Sequence, residues 1–241
     1  MRYVPEIEGI IDRRILINFR VDKNVLENYL PYPFKPKTVK GKGIAGICLI
    51  RLKNIRPKGF PAFLGISSEN GAHRIAVEWN ENGKTKEGVF IPRRDTSSRI
   101  NAFAGGRLFP GTHHLSNYIV KESDGKYFVK FENKDGTYLQ IEAKKSINFS
   151  TNSIFDKLEE ASEFFERGSL GYTPNKEEKC FDGIELNIHN WEVTPMEVQS
   201  VKSSFFEDST TFPEGSYEFD NALLMEGIKH EWKKSHIKNW I

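Results

Sequence analysis

The chain has 241 residues, with 35 Lys and Arg against 33 Asp and Glu, a formal net charge of +2, 38% hydrophobic and 28% charged residues. That near-balance leaves no electrostatic footprint for nucleic acid, and no apolar run approaches the roughly 18 residues needed to span a membrane. The expectation is a soluble globular protein with a substantial core, most simply one domain over residues 1–241. The opening MRYVPEIEGIIDRR lacks the apolar core of a signal peptide, so the expected location is cytoplasmic.

In chain order, ILINFR (15–20) reads as a strand, and Asp22 as the cap of a two-turn helix over 23–30 that Pro31 and Pro33 close. GIAGICLIRLKNI (43–55) is a nearly continuous apolar run, the pattern of a buried central strand, with Gly43 and Gly46 allowing another backbone to approach. Cys48 within it reads as a small buried hydrophobe, and neither it nor Cys180 stands in a metal or redox spacing. A Gly- and Pro-containing loop follows at 58–63, and AVEW (76–79) alternates like a half-buried strand. NENGK (80–84) signals a hairpin, whose pairing brings His73 and Arg74 opposite residues 91–93.

Residues 88–114, GVFIPRRDTSSRINAFAGGRLFPGTHH, are the most informative stretch. They gather Arg93, Arg94, Arg99 and Arg107 with Asp95, Ser97, Ser98, His113 and His114 between short apolar runs. Pro92 is expected to end a strand, Asp95 or Thr96 to cap a short helix, and Gly105 and Gly106 to terminate it. Guanidinium groups beside a helix N-terminus suit a carboxylate or phosphate. The expected anion pocket is lined by Arg93, Arg94, Asp95, Ser98 and Arg99, with Glu69 and His73 as candidate proton carriers. The same arginines can instead pair with Asp95, Glu69 or Glu78 in a buried ion network.

Beyond it, SNYIVKE, GKYFVKFEN and TYLQIEAKK, joined by SDG and KDG, read as a three-strand meander with one solvated face. IFDKLEEASEFFERG (154–168) is the clearest amphipathic helix, with Asn152 or Ser153 as cap. GYTPNKEEK (171–179) reads as a surface loop, and the last strands fall in the segments beginning IELNIHN and GSYEFDN. No Walker loop, GxGxxG, HExxH or CxxC occurs, and adjacent His113 and His114 would point to opposite faces of a strand. No metal or cofactor is therefore expected. Lys144 and Lys145 are a lysine pair, in which a neighbouring cation could depress one amine's pKa and make it a nucleophile.

The segments VLENYLPYPFKPKTVKGKGIAGICLIRL, HRIAVEWNENGKTKEGVFIPRRDTSSR, FAGGRLFPG, VKSSFF and FDNALLM together resemble the uncharacterised, YqjF-like branch of the acetoacetate decarboxylase-like superfamily. The resemblance implies an α+β fold built on a mostly antiparallel, barrel-like sheet with an internal pocket and a few short helices, and a homo-oligomer. In the decarboxylases it points to, an arginine-glutamate step precedes adjacent lysines, the first of which forms a Schiff base with a β-keto acid. Here the comparable block holds Arg94-Asp95, and Arg99-Ile100 stands near the place of the lysine pair. Arginine stays protonated and forms no imine. The expected function is a pocket for a small organic anion without that chemistry, the alternatives being a non-catalytic binder or sensor, and a Schiff-base decarboxylase or aldolase-type lyase using Lys144 or Lys145.

Overall fold

In the computed structural model, residues 6–105, 111–175, 180–188, 190–234 and 238–239 are described. The first strand, β1 (Ile7–Asp22), begins well before the expected 15–20 and leads into α1 (Lys23–Tyr29). Asp22 stands at the helix start without capping it, because Lys42 takes its carboxylate. Two short strands, β2 (Lys35–Pro36) and β3 (Thr38–Val39), precede β4 (Lys42–Pro57), the expected buried central strand. Gly46 in β4 fits because a Cβ there would lie 2.1 Å from the Ile17 carbonyl oxygen.

β5 (Ile66–Glu81) and β6 (Lys84–Thr96) form the expected hairpin, with Asn82 and Gly83 both at positive φ, as a type I′ turn requires. His73 does pair with Arg93. Pro92, however, does not end β6. It sits in a register shift between the pairs His73↔Arg93 and Ile75↔Phe90, where the ladder needs no N–H from it. That shift also changes parity, so Ile91 and Arg94 end on the same face of the sheet.

The next elements are α2 (Arg99–Ala104), β7 (His113–Leu115) and the meander β8 (Asn117–Ser123), β9 (Lys126–Glu132) and β10 (Tyr138–Lys145). The amphipathic helix is shorter than expected: α3 covers Leu158–Glu166. Residues 153 and 154 are drawn off it by Asp220, which accepts from Ser153 Oγ at 2.6 Å and from the Ile154 N–H at 2.7 Å. β11 (Leu170–Pro174) corrects the expected loop. Its Gly171, Tyr172 and Thr173 are buried between two strands, while residues 176–179 lie outside the described set. β12 (Cys180–Ile188), β13 (Thr194–Ser203), α4 (Ser204–Glu207), β14 (Tyr217–Lys234) and β15 (Lys238–Asn239) complete the chain.

These strands make one mostly antiparallel sheet, ordered β15-β12-β11-β6-β5-β4-β1-β14-β13-β10-β9-β8, and a further β12–β14 pairing closes part of it into a ring. The ring is not a true barrel. Its β11–β6 seam is parallel and only two residue pairs long, and β14 splits its free edge between β13 and β12. Two cores result. Ile15, Ile17, Phe19, Ile47, Leu49, Ile75 and Val77 face one, which the meander covers. Leu16, Cys48, Ala72, Ile91, Phe165 and Met225 belong to the other, inside the ring and under α3. Alternation along β1, β4, β5 and β6 thus sends neighbouring side chains to different cores.

Candidate functional site

A cavity of ≈ 120 Å³ opens on the ring side, and β1, β4, β5 and β6 supply its polar wall through Arg14, Cys48, Arg74 and Arg94. The register explains the convergence. Leu16, Cys48, Ala72, Arg94 and His113 lie in one cross-strand row, while Arg14 pairs with Ile50 and Arg74 with Gly46, flanking Cys48 on the two diagonals. Ala72 alone stands between Cys48 and Arg94 in that row. Ile50, Leu52, Ile91, Leu186 and Trp232 make the apolar remainder.

The three guanidinium groups share an unusual state: none of them forms an ion pair among the described residues. Arg14 Nε donates to Cys48 Sγ at 3.0 Å, and its plane lies over Trp191 at 5.7 Å. Arg74, 5% exposed, donates to Asn18 Oδ1 and stacks on Phe165 at 4.9 Å, leaving its Nε unpartnered. Arg94 Nε donates to Thr173 Oγ1 at 3.2 Å, and one of its terminal nitrogens is buried without a partner. Burial pushes Arg74 and Arg94 down to about 10, so both remain cationic at neutral pH. Asn101, buried on the same wall, donates to Ser68 Oγ at 3.1 Å and leaves its Oδ1 unpartnered. A buried cation without a counter-charge is costly to keep, and an anion entering the cavity would relieve that cost.

Of the residues expected from sequence, Arg94 and Asp95 reach this cavity. Asp95 is not available to a ligand, because its buried carboxylate accepts from Arg93 at 2.8 and 2.9 Å and from Ser116 Oγ at 2.8 Å. Arg93 also holds Asp135 at 2.7 Å and points away from the cavity, so here the ion-network reading describes the geometry. Arg99 is exposed on α2, and Ser98, not Asp95 or Thr96, caps that helix by accepting the Asn101 N–H at 3.2 Å. Glu69 lies between Arg13 and Arg51 at 2.6 and 2.5 Å, outside the cavity lining. His73 is fully buried in the opposite core against Phe131 and Phe205, where burial pushes it down to about 4. Lys144 and Lys145 stand on β10, paired with Glu197 at 3.0 Å and Glu226 at 2.6 Å, and neither lines the cavity. Arg107 lies outside the described residues, as do His189 and His236.

Five cavity residues, Arg14, Cys48, Arg74, Asn101 and His113, were passed over in the sequence or read only for something else. Arg14 stands in the charged run Asp12-Arg13-Arg14, Arg74 was read only for its hairpin pairing, and Cys48 sits inside an apolar run. His113 was read only as half of an adjacent pair. It does separate from His114 by face, lines the cavity, and contacts the Gly111 carbonyl through Nδ1 at 3.3 Å. Burial, reinforced by the charge of Arg94, pushes it down to about 4, so it is neutral at pH 7.

A model of the DUF2071 family, described as an uncharacterized conserved protein, matches residues 11–222. No curated protein matches the sequence. Solved structures do match over nearly the whole chain. An acetoacetate decarboxylase-like enzyme from Sphingomonas wittichii RW1 is 9% identical, with a TM-score of 0.61 over 100% of this chain and 94% of that one. The acetoacetate decarboxylase of Legionella pneumophila is 11% identical, with a TM-score of 0.59 over 97% and 88%. The enduracididine biosynthesis enzyme MppR, complexed with pyruvate, is 7% identical, with a TM-score of 0.62 over 99% and 91%. At such identities the likeness is one of fold.

Proposed function

The chain belongs to the DUF2071 family and has the acetoacetate decarboxylase-like fold, and from that premise we propose that it binds a small organic carboxylate in the ring-side cavity. One observation carries the reading: Arg14, Arg74 and Arg94 line one cavity, and among the described residues none is neutralised by a carboxylate. The carboxylate lies among the guanidinium groups, its hydrocarbon part against Ile50, Leu52, Ile91 and Trp232. That MppR was solved with pyruvate, itself a small carboxylate, fits a ligand of this class. Lysine is absent from the described lining, which favours binding without an imine. Among the described residues no helix is long and apolar enough to cross a membrane. We read the protein as cytoplasmic and homo-oligomeric, the latter to be tested by sedimentation.

Calorimetric titration with short 2-oxo and saturated carboxylates, beside their neutral amides, tests the reading. Carboxylates should bind and amides should not. Arg14→Gln or Arg94→Gln should weaken binding by about 10- to 100-fold, the loss of one charge-assisted hydrogen bond. A folded protein that binds none of the carboxylates would overturn it. A catalytic version is favoured by one feature, the neutral His113 on the cavity wall, which can take a proton from a bound ligand.

A further inference from the structure

Cys48 is the one uncharged member of the polar row that is also a potential nucleophile. The residue lines the cavity and is only 3% exposed, and its sulfur receives the Arg14 Nε–H at 3.0 Å. Arg74 stands on the diagonal of the neighbouring strand β5, Arg94 lies beyond Ala72 in the same cross-strand row, and both line the same cavity. An inert core cysteine meets only hydrocarbon, but this one accepts from one guanidinium group and shares its cavity with two more, none of the three forming an ion pair among the described residues. A second observation points to a ligand at the same spot. Arg74, more than nine-tenths buried on the cavity wall, keeps its Nε without a partner.

Thiols attack as thiolates, and cationic neighbours stabilise that form along the reaction. We propose that Cys48 is a nucleophilic thiol for small carboxylates with an electrophilic carbon next to the carboxylate group, the arginines holding the carboxylate while the sulfur attacks. The inference rests on the anion-binding reading of this cavity. With a 2-oxo acid the step is a simple addition. The sulfur bonds to the carbonyl carbon, the C=O π pair moves to oxygen, and the proton lost by the thiol ends on that oxygen, with no net oxidation. With a haloacetate the C–S bond forms as the carbon–halogen bond breaks, halide leaves with the electron pair, and the proton passes to buffer.

Iodoacetate and iodoacetamide separate charge from reactivity, since they differ in carboxylate against amide. Each is reacted with the full chain, and modification of the peptide carrying Cys48 is followed by mass spectrometry. The expected result is an iodoacetate-to-iodoacetamide rate ratio about 10-fold above that of a small free thiol in the same buffer, as electrostatic focusing in a cleft predicts. The excess should disappear in Arg14→Gln, or in Arg94→Gln if the first variant is unstable, and an added short carboxylate should slow the reaction. Cys48→Ala should abolish the modification. A sulfur that neither reagent modifies, in a protein that still binds carboxylates, overturns the inference and leaves the anion site standing. Modification without preference for iodoacetate, in a protein that binds no carboxylate, overturns both.

Discussion

Arg13 and Arg14 are neighbours on β1, and Arg93 and Arg94 are neighbours on β6, yet the members of each pair live in opposite electrostatic worlds. Arg13, 2% exposed, is held by Glu69 at 2.6 Å and by Glu122, and Arg51 adds a second bridge to both carboxylates. Arg93 is held by Asp95 and Asp135. One residue along, Arg14 and Arg94 turn to the other face and meet a thiol, a hydroxyl and the cavity. Identical side chains are therefore ion-paired on one face of the sheet and, among the described residues, without an ion pair on the other. Strand alternation separates the members of each pair, and among the described residues carboxylates pair with the arginines of only one face.

The largest effect should come from the paired side. Arg13→Met leaves Glu69 and Glu122 short of a buried partner and should cost about 3–5 kcal/mol in denaturant unfolding. Next is the response to acid. Burial holds His73 near 4, below the 6.5 of an unfolded histidine, so between these pH values the unfolded chain binds more protons. Stability is complete above pH 6.5 and falls as pH drops toward 4, by about 1.4 kcal/mol per unit for each such histidine. His113 and His230 are displaced in the same direction, also to about 4. His73→Leu should flatten the slope of stability between pH 4 and 6.5 by one histidine's share. An unchanged slope would mean that water reaches the face shared with Arg13. The smallest effect should be that of Arg94→Gln on the ligand-free protein, within about 1 kcal/mol, because the lost Thr173 contact is offset by removal of an unpaired buried cation. If Arg94→Gln proved as destabilising as Arg13→Met, the distinction between the two faces would fail.

Much of the fold was legible. The apolar run around Cys48 became a central strand, the Asn-Gly turn set the β5–β6 hairpin with His73 opposite Arg93, and three alternating segments became the meander. Misreadings arose where distant groups outbid local preference. Asp220 pulled residues 153 and 154 from the helix, and burial between β6 and β12 made a strand of a polar-looking segment. For the cavity, the block singled out in the sequence supplies Arg94, while Glu69 and His73 were brought to it by the hairpin pairing and Ser98 and Arg99 by closeness in sequence. In a sheet that closeness misleads, because adjacent residues diverge and partners come from neighbouring strands.

What the sequence by itself determined was local and periodic: strand positions, the hairpin, the amphipathic character of α3 and the family resemblance, all of which reside in patterns a few residues long. Only the tertiary structure decided which arginines are neutralised and which face a cavity. That depends on the parity change at the Pro92 shift and on a register that sets Arg14 and Arg74 on either side of Cys48, across strands up to about 60 residues apart in the chain.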